Sequence, residues 1–459
     1  MAQTLRGGLL DDLARVRELA TRPAKTAAEI ARNIEAASGQ IRLATPHDYE
    51  AGHVQGAIPA LMQGLFDLRL AVRAALAGWK SQGLLTPDVQ AAVRDLMRMA
   101  RYGCDYLGEM SIGNRRLGHG ETPGPAFTGH PLQTFRNPAL NPGEAIAWRS
   151  GDVIMMRGSH HNSAAIARIG DVDSQFSHLA VLYIDPTGGQ HIVESLIEEG
   201  AIINPLSHSL GHGVARAALY RHKDERLAAE AARLMHEHVR RSREPGGKRI
   251  LYDFTMRLPG YRQLFCAKVI RQAFDLASAG KIMLPTYPTR FQLKNRDFLK
   301  RIGVKTNETF APADIDLETD FDLVAEWQDY RATARLRTQD LIMDKLFEWM
   351  DEHGYTFKED FIIHLISFLG RIAGQMSDRA KSLIADVVPK VPSNMRRRTI
   401  ATVAMLHKTA QPLLEKLETL EAEHLARSGR PLDGRAVYEA LEAIRAQSRG
   451  RIGYLSGKT

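Results

Sequence analysis

Cysteine is almost absent from this chain of 459 residues, which has only Cys104 and Cys266. Two cysteines cannot build a disulfide framework, so the sequence predicts a protein of a reducing compartment. Aromatic residues make up 7% of the chain and do not alternate with the basic ones, as a surface for single-stranded nucleic acid would require. We therefore expect no nucleic acid partner.

Long apolar segments are also missing. Residues 1–12 lack the apolar core of a signal peptide, and the longest apolar run, residues 361–370, is about half as long as a membrane-spanning helix. We therefore expect a cytoplasmic protein with no transmembrane segment. The net charge of +8 leaves an anionic membrane surface open as a partner, beside the simpler interpretation that the basic clusters are solvated helix ends.

The histidines show no spacing that is established for a zinc site. His236 and His238, for example, are two residues apart and point in roughly opposite directions on a helix. The glycines form neither a phosphate-binding nor a dinucleotide-binding motif. We expect no metal and no other cofactor.

Cys266 lies where a Pro-Gly loop at residues 259–263 runs into an amphipathic helix predicted for residues 264–279. A cysteine in the first turn of a helix faces unpaired backbone N–H groups and the positive end of the helix dipole. That environment favours the thiolate, and the same N–H groups can hold an oxyanion. Taken alone, such a residue is more simply interpreted as a small buried hydrophobic side chain.

A predicted β-hairpin lies upstream of this cysteine. Residues 178–184 and 191–197 have the composition of strands, and the turn sequence at residues 186–189 separates them. Neighbouring side chains on one face of a hairpin are roughly 5 Å apart, so Glu194 can lie behind His178. There the carboxylate would fix the imidazole tautomer and support its positive charge.

Cys266, His178 and Glu194 thus have the types required for the nucleophile, base and orienting group of a cysteine hydrolase. His191 is an alternative orienting group, and Glu194 can also be interpreted as a solvent-facing strand residue. Because Cys104 lies beside an acid in a packed helical pattern, we expect Cys266 to be the more reactive cysteine.

The chain divides into four predicted regions: helical residues 1–112, a loop or linker at 113–150, an α+β region at 151–328, and helical residues 329–459. Thr86 and Pro87 mark a helix start in the first region. We expect both helical regions to pack on the α+β core, and one or both of them to shape the entrance to its site. The further elements predicted in that core are strands at 152–157 and 215–221 and a helix at 224–243.

Five short motifs follow one another in the α+β region: Gly151-Asp152-Val153-Ile154, Phe176-Ser177-His178-Leu179-Ala180-Val181, Val193-Glu194-Ser195, Tyr252-Asp253-Phe254 and Phe265-Cys266-Ala267-Lys268-Val269. By their order this region resembles the permuted papain-like amidases of the YaeF/YiiX type, within the NlpC-like superfamily. The resemblance implies an α+β, circularly permuted papain-like domain in which the histidine strand precedes the cysteine helix.

The resemblance also implies roles for single residues: Cys266 as nucleophile, His178 as base and Glu194 as the polar third member. Tyr252 and Asp253 are candidates for supporting groups, and helix capping is an equally good account of Asp253.

The chain departs from the family pattern directly after the cysteine. A small residue and then an acid are expected there, and Ala267 and Lys268 stand instead. Lys268 can stabilise a thiolate if it points into the site. A solvated helix residue is the simpler interpretation.

The function expected from these observations is that of a cysteine hydrolase, which cleaves an amide or acyl-ester bond through a thioester. Its substrate would be a peptide, a lipid or an acylated protein. Two alternatives remain open. One is a thiol acyltransferase or lipid-acyl hydrolase of the lecithin:retinol acyltransferase type, and the other is a non-catalytic scaffold that binds a partner or a membrane surface.

Overall fold

The structure is a computed structural model that describes residues 8–44, 51–113, 115–117, 121–127, 133–171, 173–211, 213–291, 293, 296–360, 363–364, 367 and 392–457. Parts of the predicted loop at 113–150 and most of the apolar run at 361–370 lie outside the described residues.

Helices make up most of the two ends of the described chain. The helices of all described regions together are α1 (Leu9–Ala20), α2 (Ala27–Leu43), α3 (Ala51–Ser81), α4 (Pro87–Ile112), α5 (His161–Arg168), α6 (Leu206–Gly211), α7 (Glu225–Arg243), α8 (Cys266–Ala277), α9 (Arg296–Ile302), α10 (Tyr330–Glu352), α11 (Arg397–Ser428) and α12 (Gly434–Gln447), with a 3₁₀ helix at Pro312–Leu317. None of those in the described part of the chain is long and apolar enough to cross a bilayer.

Strands are concentrated in the middle of the chain. They are β1 (Thr134–Arg136), β2 (Val153–Gly158), β3 (His178–Ile184), β4 (Gln190–Leu196), β5 (Gly200–Pro205), β6 (Val214–His222), β7 (Thr289–Arg290), β8 (Glu308–Thr309), β9 (Phe321–Gln328), β10 (Thr356–Phe357), β11 (Arg451–Ile452) and β12 (Leu455–Ser456).

Local sequence signals account for several helix starts. Thr26 and Glu29 form a capping box at the start of α2, in which each side chain bonds the backbone of the other residue. Helix α4 begins at Pro87 with Thr86 as its N-cap, as predicted. The side chain of Asp224 accepts a hydrogen bond from the backbone N–H of Leu227 and so caps α7.

The central sheet has seven antiparallel strands in the order β1-β9-β6-β2-β3-β4-β5. Its side chains alternate between two apolar clusters: Val153 and Met155 of β2 enter one, and Ile154 and Met156 enter the other. The four predicted strands of this region are confirmed as β2, β3, β4 and β6. With its helices, the region is a mixed α+β structure.

Three strands of the sheet were not predicted from the sequence: β1, β5 and β9. The first lies in the predicted loop region and pairs with β9 at one edge. Strand β5 pairs with β4 at the opposite edge and follows it after a short turn. These additions widen the sheet on both sides of the predicted hairpin.

Helices α7 and α8 pack together and contact β3 and β4. The apolar face of α8, including Val269, Ile270 and Phe274, is buried in the same cluster as Leu179 and Val181 of β3. This packing fixes the start of α8 relative to the start of β3.

Buried ion pairs join the N-terminal helices to the central sheet. Arg69 of α3 pairs with Glu326 of β9, and Arg101 of α4 pairs with Asp316 of the 3₁₀ helix at 2.7 Å and with the same Glu326 at 3.1 Å. Removing one partner of such a buried pair leaves a charge without compensation and typically costs about 3–5 kcal/mol. The N-terminal helices are therefore held on the sheet by charge as well as by apolar packing.

The C-terminal helices contact the same core through α10. Asp340 of α10 pairs with Arg157 of β2 at 2.7 Å, and Arg337 of α10 pairs with Glu109 of α4 at 2.8 Å. Both flanking helical regions thus pack directly on the α+β region.

Candidate active site

Cys266 is the first residue of α8, and Phe265 is the N-cap. An N-cap is commonly Ser, Thr, Asp or Asn, whose side-chain oxygen accepts a hydrogen bond from the first-turn N–H groups. Phenylalanine has no such oxygen. The first-turn N–H groups are therefore not capped by the Phe265 side chain, and the N–H of Ala267 acts on the Cys266 thiol.

His178, the first residue of β3, contacts both other members of the predicted triad. Its Nε2 lies 2.7 Å from Oε2 of Glu194, and its ring is close enough to the Cys266 thiol for each group to shift the pKa of the other. Because Nε2 is engaged by the carboxylate, Nδ1 is the nitrogen left for the thiol. The Cys266 sulfur also lies 3.8 Å from the carbonyl oxygen of Ser177, which precedes the histidine.

The register of the hairpin explains why Glu194 reaches the histidine. Val181 of β3 pairs with Val193 of β4, so Glu194 is diagonally across from His178 on one face of the sheet. The hairpin loop covers residues 185–189 between the two strands. A shift of register by one residue would turn Glu194 to the opposite face.

The three groups shift one another's pKa in directions that suit an ion pair. Burial raises the pKa of Cys266, but the hydrogen bond and charge of His178, together with the backbone N–H groups of Leu179 and Ala267, lower it overall. Burial lowers the pKa of His178, but its bonds to Cys266 and Glu194 outweigh this and raise the pKa to about 10. Both shifts favour the thiolate–imidazolium pair over the neutral thiol and imidazole.

Glu194 is held by two further side chains. Its Oε1 accepts hydrogen bonds from Nδ2 of Asn204 and from Oγ of Ser209, both at 2.9 Å. Burial raises the pKa of Glu194, and the bonds to His178, Asn204 and Ser209 lower it below its ordinary value. The carboxylate is therefore charged and fixed, with one oxygen for the imidazole and the other for its supports.

Asn204 and Ser209 were missed from the sequence because strand β5 was missed. Asn204 pairs with Ile192 in the register of β4 and β5, which brings it next to Glu194 on the same face. Ser209 lies in the short helix α6 that follows β5. The sequence did contain a signal for Asn204: if the segment after the hairpin forms a third antiparallel strand, alternation places this polar residue on the same face as Glu194.

Tyr252, a candidate supporting residue, lines the same cavity as Cys266. Burial, followed by the negative charge of the Cys266 thiolate, raises the pKa of Tyr252 well above its ordinary value, so its hydroxyl stays protonated. Its backbone carbonyl accepts a hydrogen bond from Nδ2 of Asn394 at 2.8 Å.

Two expectations for this part of the chain are wrong: helix capping by Asp253 and a solvated position for Lys268. Lys268 is not solvated: its side chain is 2% exposed, and Nζ lies 2.8 Å from Oδ2 of Asp253. The other oxygen of Asp253 accepts hydrogen bonds from the backbone N–H and hydroxyl of Thr255, within a turn and not at a helix start. The ammonium group of Lys268 is thus neutralised by a carboxylate.

The alternative orienting group, His191, lies elsewhere. Its Nε2 is 2.9 Å from Oδ2 of Asp185 in the hairpin loop, and its ring stacks on Tyr183. His236 and His238 contact different partners, Tyr183 and Tyr261 respectively. Among the residues that the structure describes, no group of three or more His, Cys, Asp or Glu side chains is arranged to hold a metal ion.

A cavity of about 140 Å³ opens beside Cys266. Helix α11 of the C-terminal region contributes to its wall with Thr399, Thr402, Val403 and Leu406. The C-terminal helical region therefore shapes the space next to the cysteine.

Neither a search of curated proteins nor a search of solved structures finds a match to the chain. The segment that carries Cys266, His178 and Glu194 does match a known family. Residues 147–315 fit the family described as "Permuted papain-like amidase enzyme, YaeF/YiiX, C92 family", which confirms the resemblance that the motifs predicted for this part of the chain and makes it similar to papain-like cysteine amidases.

Proposed function

We propose that the protein is a cysteine hydrolase that cleaves an amide or acyl-ester bond through a thioester on Cys266, with His178 as acid–base group and Glu194 as orienting group. The observation that carries this proposal is the position of His178, whose ring bonds Glu194 at 2.7 Å and lies beside the Cys266 thiol, so that the two groups shift each other's pKa. The chain order of histidine, glutamate and cysteine further supports a circularly permuted papain-like domain.

In the proposed reaction the Cys266 thiolate attacks the carbonyl carbon of the substrate. The negative charge that develops on the carbonyl oxygen is held by first-turn N–H groups of α8, including that of Cys266. The carbon–nitrogen or carbon–oxygen bond then breaks, and the leaving group takes a proton from the His178 imidazolium. The product of this half-reaction is a thioester and a neutral imidazole.

The second half-reaction restores the ion pair. Neutral His178 takes a proton from water as the water oxygen attacks the thioester carbonyl, and the carbon–sulfur bond breaks. The acid product leaves, and thiolate and imidazolium remain. If an amine or an alcohol takes the place of water, the same steps give acyl transfer.

Intact-mass spectrometry after incubation with activated acyl esters and with peptide mixtures tests the proposal. We expect an adduct that has the mass of the acyl group and maps to Cys266. The Cys266→Ala variant should form none, whereas Cys104→Ala should form the same adduct as the wild type.

A non-catalytic scaffold predicts a different result. In that case Cys266 would be acylated no faster than a free thiol in a small peptide under the same conditions. Peptide cysteine at the same pH is therefore the reference, and an equal rate would contradict the proposal.

A further inference from the structure

The cavity beside Cys266 has a mostly apolar lining, which the chemistry of the triad does not require. It lies where two buried apolar clusters meet. Tyr252, Phe265 and Phe310 reach it from the cluster that includes α8, and Phe298 and Leu406 reach it from the cluster that includes α11. The nucleophile thus stands at the wall of an apolar space between the central sheet and the C-terminal helices.

The hydroxyl groups of the threonines in the cavity wall donate their hydrogen bonds within the protein. Each of the four donates to another protein group: Thr289 to Oδ1 of Asp314 at 2.6 Å, Thr309 to the carbonyl of Met256 at 3.2 Å, Thr399 to the carbonyl of Arg301 at 2.9 Å, and Thr402 to the carbonyl of Arg398 at 2.8 Å. These hydroxyls therefore offer no hydrogen-bond donor to a ligand.

Charge is nearly absent from the same wall. Among the lining residues that the structure describes, Glu198 has the single carboxylate, and no lysine or arginine is present. Most of the others are aliphatic or aromatic, including Ile166, Ile169, Phe254 and Phe291. Apart from the threonines and Cys266, the polar groups of the described wall are the side chains of Asn162 and Glu198 and the hydroxyl of Tyr252. Over the rest of the wall a polar atom would lose its hydrogen bonds to water, so the wall favours a group that has no polar atoms.

We propose that this cavity binds the apolar chain of an acyl group whose carbonyl is attacked by Cys266, and that it accommodates a chain of about six carbons. This inference rests on the proposed function. The length follows from volume: the cavity has about 140 Å³, close to the roughly 150 Å³ of an engineered apolar cavity that binds the six carbons of benzene. The substrate class is therefore that of medium-chain acyl amides or esters.

An acyl chain fits this wall better than a peptide does. A peptide has an N–H and a C=O at every residue, and each needs a hydrogen-bond partner when it is buried. A hydrocarbon chain has no such requirement. Met256 and Met395 also contribute to the wall, and their flexible side chains can adapt to chains that differ by a few carbons.

Acylation by p-nitrophenyl esters of acetate, butyrate, hexanoate and octanoate tests the inference. In each case a bond forms between Cys266 sulfur and the carbonyl carbon, the bond from that carbon to the phenol oxygen breaks, and p-nitrophenolate leaves with the electron pair. Absorbance of p-nitrophenolate gives the second-order acylation rate constant, and intact mass shows the adduct.

The rate constant should rise about fourfold for each methylene from acetate to hexanoate, since burial of one methylene contributes about 0.8 kcal/mol. It should level off between hexanoate and octanoate, when the cavity is full. Val403→Phe should move this limit to a shorter chain and Val403→Ala to a longer one. Leu420→Phe, the same type of change on an exposed part of α11, should leave the profile as in the wild type.

The outcomes separate the two proposals. Adducts that form on Cys266 at equal rates for all four chain lengths would overturn the acyl-chain inference and leave the hydrolase proposal standing. Faster acylation by p-nitrophenyl esters of N-acetylated leucine or phenylalanine than by hexanoate would assign the cavity to a peptide side chain, which also overturns the inference. The absence of both p-nitrophenolate release above the rate of a peptide cysteine and an adduct on Cys266, with every donor, would overturn both proposals.

Discussion

Cys104 and Cys266 are both free and buried, yet their surroundings move their pKa values in opposite directions. Cys104 lies inside α4, where its sulfur is 3.7 Å from the carbonyl oxygen of Met62, and burial raises its pKa to about 12. Burial acts on Cys266 in the same sense, but the His178 ring and backbone N–H groups at the start of α8 outweigh it. Position in the helix and an available hydrogen-bond donor therefore decide the difference.

Nearby cations do not by themselves explain the contrast. Arg69 and Arg101 lower the pKa of Cys104, but Glu326, which pairs with both arginines, raises it. Asp105 also raises it. An arginine that is already paired with a carboxylate gives little net stabilisation to a thiolate. The Lys268–Asp253 pair near the other cysteine has the same neutralised character.

The largest expected effect is the difference in alkylation rate between the two cysteines. At pH 7 a thiol with a pKa of about 12 is ionised to only roughly one part in 10⁵. An ordinary thiol with a pKa near 8.5 is ionised to about one part in 30 at pH 7, and the pKa of Cys266 is lowered. Iodoacetamide should therefore label Cys266 at least about 10³-fold faster than Cys104 in the folded protein, as followed by peptide mass spectrometry. Similar alkylation rates at the two sites would contradict the opposite pKa shifts of Cys104 and Cys266.

Replacement of His178 by alanine should make the two cysteines more alike. Without the imidazolium, the effect of burial is opposed only by backbone N–H groups, so the pKa of Cys266 rises, and the thiolate fraction at pH 7 falls by about tenfold for each unit of that rise. The pH dependence of Cys266 alkylation measures this shift. Labelling of Cys104 in the same samples is the control, and it should not change.

The Glu194→Gln variant should have a smaller effect, visible in the pH profile of amide hydrolysis. In the proposed mechanism the imidazolium acts as the acid, so the wild-type rate should fall as the pH rises through about 10. Loss of the carboxylate charge lowers the His178 pKa, and the fall should move to lower pH. The rate at neutral pH should drop by about tenfold, as expected for one charge-assisted hydrogen bond.

Asn204→Ala provides a matched comparison for that variant. It removes one of the hydrogen bonds to Glu194 and keeps the carboxylate charge. The pH at which the hydrolysis rate of Asn204→Ala falls should therefore be lowered less than it is in Glu194→Gln. An unchanged profile in both variants would show that Glu194 does not act on His178.

The smallest expected effect is that of Cys104→Ala. The side chain is fully buried, so its truncation leaves a small void and should lower the free energy of unfolding by about 1 kcal/mol. Thermal or denaturant unfolding measures this loss, and acylation of Cys266 should proceed at the wild-type rate. A loss of acylation in a variant that is still folded would give Cys104 a role that its surroundings do not support.

Local sequence patterns were sufficient to predict the hairpin, and they placed the start of α8 two residues early, at 264 instead of Cys266. Strand β3 has the predicted bounds, His178–Ile184, because its alternation and the turn that follows it are both encoded locally. Strand β9 was not predicted. It includes Glu326, whose buried charge is compensated only by arginines more than 200 residues away in sequence. A polar residue of this kind interrupts the apolar pattern that identifies a strand.

The sequence by itself determined which residues can perform the chemistry and their order along the chain: a histidine at a strand start, a glutamate on the next strand and a cysteine at a helix start. These are local properties, because strand alternation and helix ends are set by near neighbours. Only the tertiary structure decided the pKa directions, the burial of Lys268 against Asp253, the support of Glu194 by Asn204 and Ser209, and the apolar cavity. The physical reason is that desolvation, charge and cavity shape depend on groups that are distant in sequence and become neighbours only on folding.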